Sequence, residues 1–346
     1  MLTFSPSESA RFDMRTFRAV LSGINVNALF EEIVAQRVDL AILRLPTRES
    51  EEIRSIQRFG LHPIHADTLV SYECHLQECE TRPLRDPLRT IDPAGPSDTQ
   101  AIIELVKAVF ADYPNHYHAN PMLDRAAVLD GYCEWALNHL EGDHQIAWVA
   151  RANGHVAGIA CSTFDPATRV CQGVLHGVHP DCSGSGIYTD LIRYTQRYFC
   201  ERGYRTLKIS TQIGNLPVQR VWVREGFVFA EVFDTFHVNA LLDLDRTGAT
   251  QTVTLSDADS GQLLRGQAMT RFLAVALSTQ RERQGSTKTG TEECFATILD
   301  ELENEAEYLV RVRRYERAHL PDHAFCSATL HDVTGKICGM AQFVTP

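Results

Sequence analysis

The residues of this chain whose types and spacing could do chemistry concentrate between Gln172 and Phe227. Val174, His176 and Val178 alternate as in a half-buried strand. The chain then turns through His179-Pro180-Asp181-Cys182-Ser183-Gly184-Ser185-Gly186 and enters a stretch with helical spacing, Ile187, Leu191, Ile192, Thr195 and Phe199. A strand that feeds a helix through glycines presents several unpaired backbone N–H groups to one point, with the positive end of the helix dipole behind them. Such a turn is an anion site. Glycine suits it because a Cβ would block close approach and because some of these positions want positive φ. The expected anion is a pyrophosphate, held by Ser183, Gly184, Ser185, Gly186 and Ile187. A G-x-G turn between a strand and a helix also occurs as plain structure, so the residues after it decide.

Two groups of side chains could do proton chemistry. His176 lies on the strand before the turn, and imidazole titrates near neutral pH, which suits a general base. The alternative is a satisfied core or edge histidine. The second group is Asn115-His116-Tyr117-His118-Ala119-Asn120-Pro121, where His116 and His118 could serve a polar, hydroxyl-bearing substrate or simply belong to an exposed polar loop. A His-x-His pair is half of a metal site, but no third ligand stands nearby, and no metal is expected.

The elements that must position these residues fall into three segments. Residues 1–85 alternate apolar runs with an amphipathic stretch: a helix over Asn27–Arg37, a buried strand Val38–Leu45 closed by Pro46, a helical stretch Glu51–Phe59 and a strand Thr68–Cys74. This is a small α/β subdomain. The Pro- and Arg-rich stretch Glu80–Thr99 reads as a linker. Residues 90–245 open with a helix start at Ser97-Asp98-Thr99 and carry the glycine turn, its helix ending at Gly203, a strand Thr206–Ser210, and a short helix between Asn215 and Gly226-Phe227. After a polar stretch, residues 251–346 hold a strand, a long helix at about 261–282 and three or so strands: Tyr308–Tyr315, Ala324–Leu330 and Lys336–Val344.

The register after the turn resembles the GNAT acyltransferase superfamily. That family's strand ending V-x-P, R-G-x-G-type turn, helix and strand are followed by N-x-x-A-x-x-L-Y-x-x-x-G-F. This chain reads Asn215-Leu216-Pro217-Val218-Gln219-Arg220-Val221-Trp222-Val223-Arg224-Glu225-Gly226-Phe227. The resemblance covers roughly 155 residues and is similar to branches near the sugar-amine acetyltransferases, which also carry an N-terminal α/β subdomain. It implies an α+β fold: a splayed mixed sheet flanked by helices, with the pantetheine arm of acetyl-CoA or another acyl-CoA between the two central strands. It also implies cofactor contacts from Val178, Asn215 and Trp222 besides the turn, an oxyanion donor among the backbone N–H groups from His176 to Val178, and Gln212 lining the acceptor cleft. Two departures stand out. Ser183 occupies a position usually held by Arg or Gln, so a phosphate contact is missing unless Arg193, Arg197 or Arg220 supplies it. Trp222 stands where the family often has a tyrosine general acid, and an indole N–H has no useful acidity near neutral pH.

Residues 251–346 resemble, through Val253-Thr254-Leu255-Ser256-Asp257-Ala258-Asp259-Ser260-Gly261 and the helix after it, a hot-dog thioesterase or dehydratase domain. That likeness implies a homodimer or recognition of an acyl chain on CoA or an acyl carrier protein. Asp257 or Asp259 would then act on a thioester; the alternative is an N-cap of the following helix.

Composition narrows the classes. The 346-residue chain is 44% hydrophobic and 22% charged, with net charge −11, so a nucleic-acid binder using its whole surface and an anionic-membrane binder are both excluded. No apolar run approaches the roughly 20 residues needed to span a bilayer, and the start lacks a secretory signal pattern, so a cytoplasmic protein is expected. Its 10 cysteines include no C-x-x-C and are expected as reduced thiols. The expected function is direct transfer of an acyl group from acyl-CoA to an amine of a small polar metabolite. The alternatives are a protein handling acyl-carrier or acyl-CoA thioesters by S-acyl transfer or hydrolysis, and a non-catalytic CoA sensor.

Overall fold

A computed structural model describes residues 1–79, 82–243, 290–299, 305–317, 319–331 and 334–345. Along the chain run β1 (Thr3–Phe4), α1 (Pro6–Phe12), β2 (Thr16–Val20), α2 (Val26–Ala35), β3 (Leu40–Pro46), α3 (Ser50–Ile53) and β4 (Pro63–His75). Then come β5 (Thr90–Pro93), α4 (Thr99–Phe110), α5 (Arg125–Leu137), β6 (Gln145–Ala152), β7 (His155–Asp165) and β8 (Val170–Val178). The remainder is α6 (Ile187–Glu201), β9 (Thr206–Gln212), α7 (Leu216–Arg224), β10 (Val228–Asn239), β11 (Gly290–Leu299), β12 (Glu305–Arg317), β13 (Leu320–His331) and β14 (Ile337–Thr345). These elements pack as two compact units, one of residues 1–65, 120–124 and 235–346, the other of residues 66–119 and 125–234.

In the first unit β2 and β3 pair in parallel from Thr16↔Leu40 to Val20↔Arg44, with α2 as their crossover. The helix forms because Val26, Leu29, Phe30 and Ile33 lie on one buried face, and Asn25 accepts the Ala28 N–H as N-cap. Glu51–Phe59 begins as the short helix α3 and continues as a 3-10 helix over Arg54–Phe59. Residues 290–345 contribute a four-stranded antiparallel sheet in the order β11-β12-β13-β14. The helix expected at about 261–282, and Asp257 and Asp259 with it, lie outside the described residues.

The second unit carries a mixed sheet in the order β4-β9-β8-β7-β6-β5, parallel only between β8 and β9. One face packs Trp148 and Ala150 against Ile187, Leu191, Ile192 and Phe199 of α6. The other packs Ala147, Val149, Ile159 and Cys161 against Ile102, Leu105 and Val106 of α4 and Cys133 and Ala136 of α5. Fully buried side chains such as Leu191 and Phe199 each contribute roughly 1.5–3 kcal/mol. The stretch Glu80–Thr99 is more than a linker, because β5 inside it pairs with β6 from Thr90↔Arg151 to Pro93↔Trp148.

The feature that matters for the site is where β8 and β9 stop pairing. Their ladder runs from Val170↔Thr206 to Gly173↔Ile209 and goes no further. On its other side β8 carries a bulge, where the pairing with β7 shifts between Cys161 and Ser162. A bulge bends its strand, and β8 swings away from β9 at that point. The splayed mixed sheet implied by the motif register is present.

Candidate acyl-CoA site

The splay opens a cavity of about 760 Å³, lined on the α6 side by Ser183, Gly184, Gly186, Ile187 and Tyr188. Gly184 and Gly186 take φ of 78° and 87°, conformations that strain any residue with a Cβ. Gly186 is the N-cap of α6, and among the described residues the N–H groups of Gly184 and Gly186 have no hydrogen-bond partner. The turn therefore offers the donors and the helix end that an anion needs. Ser185, expected as a contact, is not among the cavity's lining residues. Its hydroxyl donates to the Cys182 carbonyl at 2.6 Å.

A strap of residues 83–89 frames the turn. The Asp190 carboxylate, wholly buried in the first turn of α6, accepts the Arg85 N–H at 2.5 Å and Arg89 Nε at 2.6 Å. Arg89 Nη2 also donates to the Ser185 carbonyl at 3.2 Å. This anchoring lays the Arg85 guanidinium against the glycine turn, with Nη1 and Nε 3.6 and 3.7 Å from where a Gly186 Cβ would sit. Arg85 and Arg220 both line the cavity, and among the described residues neither guanidinium is paired. Arg193 is committed elsewhere, to Glu225 through two bonds of 2.8 and 3.0 Å and to the Pro83 carbonyl at 2.7 Å. Arg197 lies over the Tyr194 ring.

The opposite wall is polar. Tyr113 donates its hydroxyl proton to Gln212 Oε1 and lies 3.2 Å from Thr211 Oγ1. Asn215 Nδ2 donates to Thr211 Oγ1 at 3.0 Å and to the Tyr113 oxygen at 3.4 Å. Trp135, still 41% exposed, lies on the same cavity. His176 also lines it, its ring seated over Gly173, where an added Cβ would meet Cε1 at 2.6 Å. His176 Nε2 is buried with no hydrogen-bond partner among the described residues, and burial pushes the imidazole pKa down to about 4.

The family model described as the acetyltransferase (GNAT) family matches residues 103–227, the span that builds this turn, splay and cavity. Residues 103–227 are a GNAT acetyltransferase domain. The chain is also similar to the spore coat polysaccharide biosynthesis protein SpsD of Bacillus subtilis, 29% identical over 154 residues. That match covers 44% of this chain and 51% of the relative, so the chain spans about half the length of the curated protein it matches. Among solved structures, a GCN5-related N-acetyltransferase from Sphaerobacter thermophilus is 14% identical with a TM-score of 0.47, covering 68% of this chain and 74% of that one. A GNAT-family acetyltransferase from Colwellia psychrerythraea is 13% identical with a TM-score of 0.41, covering 62% and 72%.

Within the GNAT domain the structure gathers His176, Val178, Ser183, Gly184, Gly186, Ile187, Asn215 and Trp222 around one cavity. It does not bring His116 and His118 to that lining. The 3-10 turn His116–Ala119 folds onto Asn115, whose Oδ1 accepts the Tyr117 N–H at 3.0 Å and whose Nδ2 lies 3.3 Å from His118 Nε2. The His116 ring sits 3.9 Å from that of Tyr117, while burial and the Arg125 charge lower the His118 pKa. Among the described residues no cluster of three or more His, Cys, Asp or Glu could hold a metal, and no helix is long and apolar enough to cross a membrane.

Reasoning from sequence missed Arg85, Tyr113 and Tyr188. Arg85 sits in a stretch whose composition signals only a linker, and its place depends on Asp190, 105 positions away. Tyr188 had a local signal, since it lies two residues after Gly186, in the first turn of α6.

Proposed function

We propose that this protein transfers an acetyl or other acyl group from acyl-CoA to an amine on a small polar metabolite, with an amino sugar as the favoured acceptor class. The observation that carries the reading is a single cavity joining an anion-binding turn to an open pair of strands and then to a polar wall. The CoA pyrophosphate would sit at the N–H groups of Gly184 and Gly186, with Arg85 and Arg220 supplying the charge that Ser183 does not. The pantetheine arm would pair with the free edge of β8 beyond Gly173. A backbone N–H between His176 and Val178 would then face the thioester oxygen and stabilise the charge that develops there. On the other wall, Tyr113, Gln212 and Asn215 supply hydrogen bonds for a hydroxyl-bearing acceptor, and Trp135 supplies a flat face for a sugar ring. The similarity to a protein named for polysaccharide biosynthesis points to the same acceptor class.

The reaction joins the amine nitrogen to the thioester carbon, breaks the carbon–sulfur bond and releases CoA as a thiol. Binding both reactants in one cleft supplies proximity and orientation, which add to the oxyanion stabilisation without a covalent intermediate. Buried and held neutral, His176 can hydrogen-bond a bound reactant, but a group with a pKa of about 4 is a weak acceptor for an ammonium proton at pH 7. The acceptor must therefore arrive as the free amine or lose its proton to water.

The test is release of free CoA from acetyl-CoA across a panel of free and nucleotide-linked amino sugars, compared with release without acceptor. Acceptor-dependent release is expected. Gly186→Asp adds a strained side chain and a carboxylate at the turn, and should abolish CoA binding by calorimetry while far-ultraviolet circular dichroism stays native. Retained binding in that variant would sink the phosphate-turn assignment.

A further inference from the structure

We propose that Tyr188 is the proton donor to the departing sulfur of CoA, oriented for that task by Trp222. This rests on the acyl-transfer reading above and names a residue that reading leaves open.

The argument is an inventory of protons. Indole Nε1–H can only donate, and Trp222, 2% exposed, donates its proton to the Tyr188 hydroxyl oxygen at 3.0 Å. The Tyr188 oxygen is thereby the acceptor in that bond, so its own proton must point elsewhere. Among the described residues nothing takes it, and both side chains line the cavity. The contrast is Tyr113 on the opposite wall, whose proton is already given to Gln212. Tyr132 also lines the cavity, but it stacks on Phe110 with centroids 4.7 Å apart, and among the described residues no donor orients its hydroxyl. Tyr188 is thus the cavity phenol with a fixed oxygen and an uncommitted proton.

What the cavity requires matches this. As the carbon–sulfur bond breaks, its electron pair leaves on sulfur, and the thiolate needs a proton. Tyr188 O–H supplies it, the phenolate oxygen keeps the Trp222 N–H bond, and the proton lost by the amine nitrogen returns to Tyr188 through solvent. The sum is acyl-CoA plus amine giving amide plus CoA thiol. Burial raises the Tyr188 pKa and keeps the phenol protonated, while the Trp222 hydrogen bond lowers the penalty on the phenolate. The pair Trp222–Tyr188 does in two residues what one tyrosine at position 222 would do.

The experiment compares Tyr188→Phe with wild type on two donors, acetyl-CoA and its selenoester analogue, using the best amino sugar of the panel. Selenolate is a far better anion than thiolate and needs no proton to leave. With acetyl-CoA, kcat should fall roughly 10²–10³-fold, within the range for losing a general acid. With the selenoester the loss should shrink to a few-fold. Trp222→Phe, which frees the hydroxyl to rotate, should show the same donor dependence more weakly, and Tyr132→Phe should show none. An equal loss on both donors, or a change in KM alone, would overturn the proposal and leave Tyr188 as a wall of the pantetheine channel. Wild-type turnover of acetyl-CoA separates the two levels, since its absence for every acceptor defeats the acyl-transfer reading itself.

Discussion

Burial sets the protonation of His176, and the consequence is measurable. With its pKa pushed down to about 4 from an ordinary 6.5, the folded state holds the ring neutral where the unfolded chain takes a proton. Between those values the unfolded state binds more protons, so stability rises with pH there and is lost as pH falls. From about pH 7 to about pH 4.5 this group alone removes roughly 2–3 kcal/mol. His176→Gln should therefore flatten the decline of unfolding free energy over that window, read from urea titrations at each pH. An unchanged slope would mean that the imidazole finds a partner or a proton in the folded state. The position of His176 was legible from simple alternation with Val174 and Val178, and the anomaly at Trp222 from the register Asn215 to Phe227. The state of His176 was not legible, since nothing local says that the imidazole seats over Gly173 and loses its water. Tyr188 was hidden for a related reason: its hydroxyl has meaning only once Trp222, 34 positions later, points at it.

At the scale of elements, the strap of residues 83–89 is held to α6 by a buried ion pair. Asp190 has no exposed side-chain surface and Arg89 only 7%, so neither charge can fall back on water. Removing one partner of such a pair leaves an uncompensated buried charge, at a typical cost of about 3–5 kcal/mol. Arg89→Met should lower the unfolding free energy by that amount, and Arg89→Met with Asp190→Asn by clearly less. CoA affinity should fall in both, because Arg89 also ties the strap that carries Arg85 to the turn, through the Ser185 carbonyl. A single and a double variant of equal stability would show that the pair is solvated and the strap loosely held. Prolines at 83 and 87 made this stretch read as connection. What composition does not reveal is that such a chain can still be fixed by side chains reaching from another element. The same limit applied to the splay: the order strand, turn, helix, strand was readable, but the bulge that parts β8 from β9 is a property of pairing.

For the molecule as a whole, the composition and the contacts divide the chain differently, and a fragment experiment separates the two. Proline and charge patterns begin the catalytic segment near residue 90, whereas the compact unit that holds the cavity begins at Ala66. The difference is β4. It pairs with β9 from Leu69↔Gln212 to His75↔Thr206, and it places Cys74 and Leu76 in the core beneath α6. A fragment beginning at residue 90 loses that strand and the anchored strap together. It bares the edge of β9 (Thr206–Gln212), a row of unpaired N–H and C=O groups that invites pairing with other chains. A fragment of residues 66–234 keeps both. It should unfold in one cooperative urea transition and bind CoA by calorimetry, while residues 90–245 should aggregate or lack a near-ultraviolet dichroism signal. If the shorter fragment instead folds and binds CoA, β4 is dispensable and Arg85 is not needed for the phosphates. That outcome would also move the missing charge at Ser183 onto Arg220.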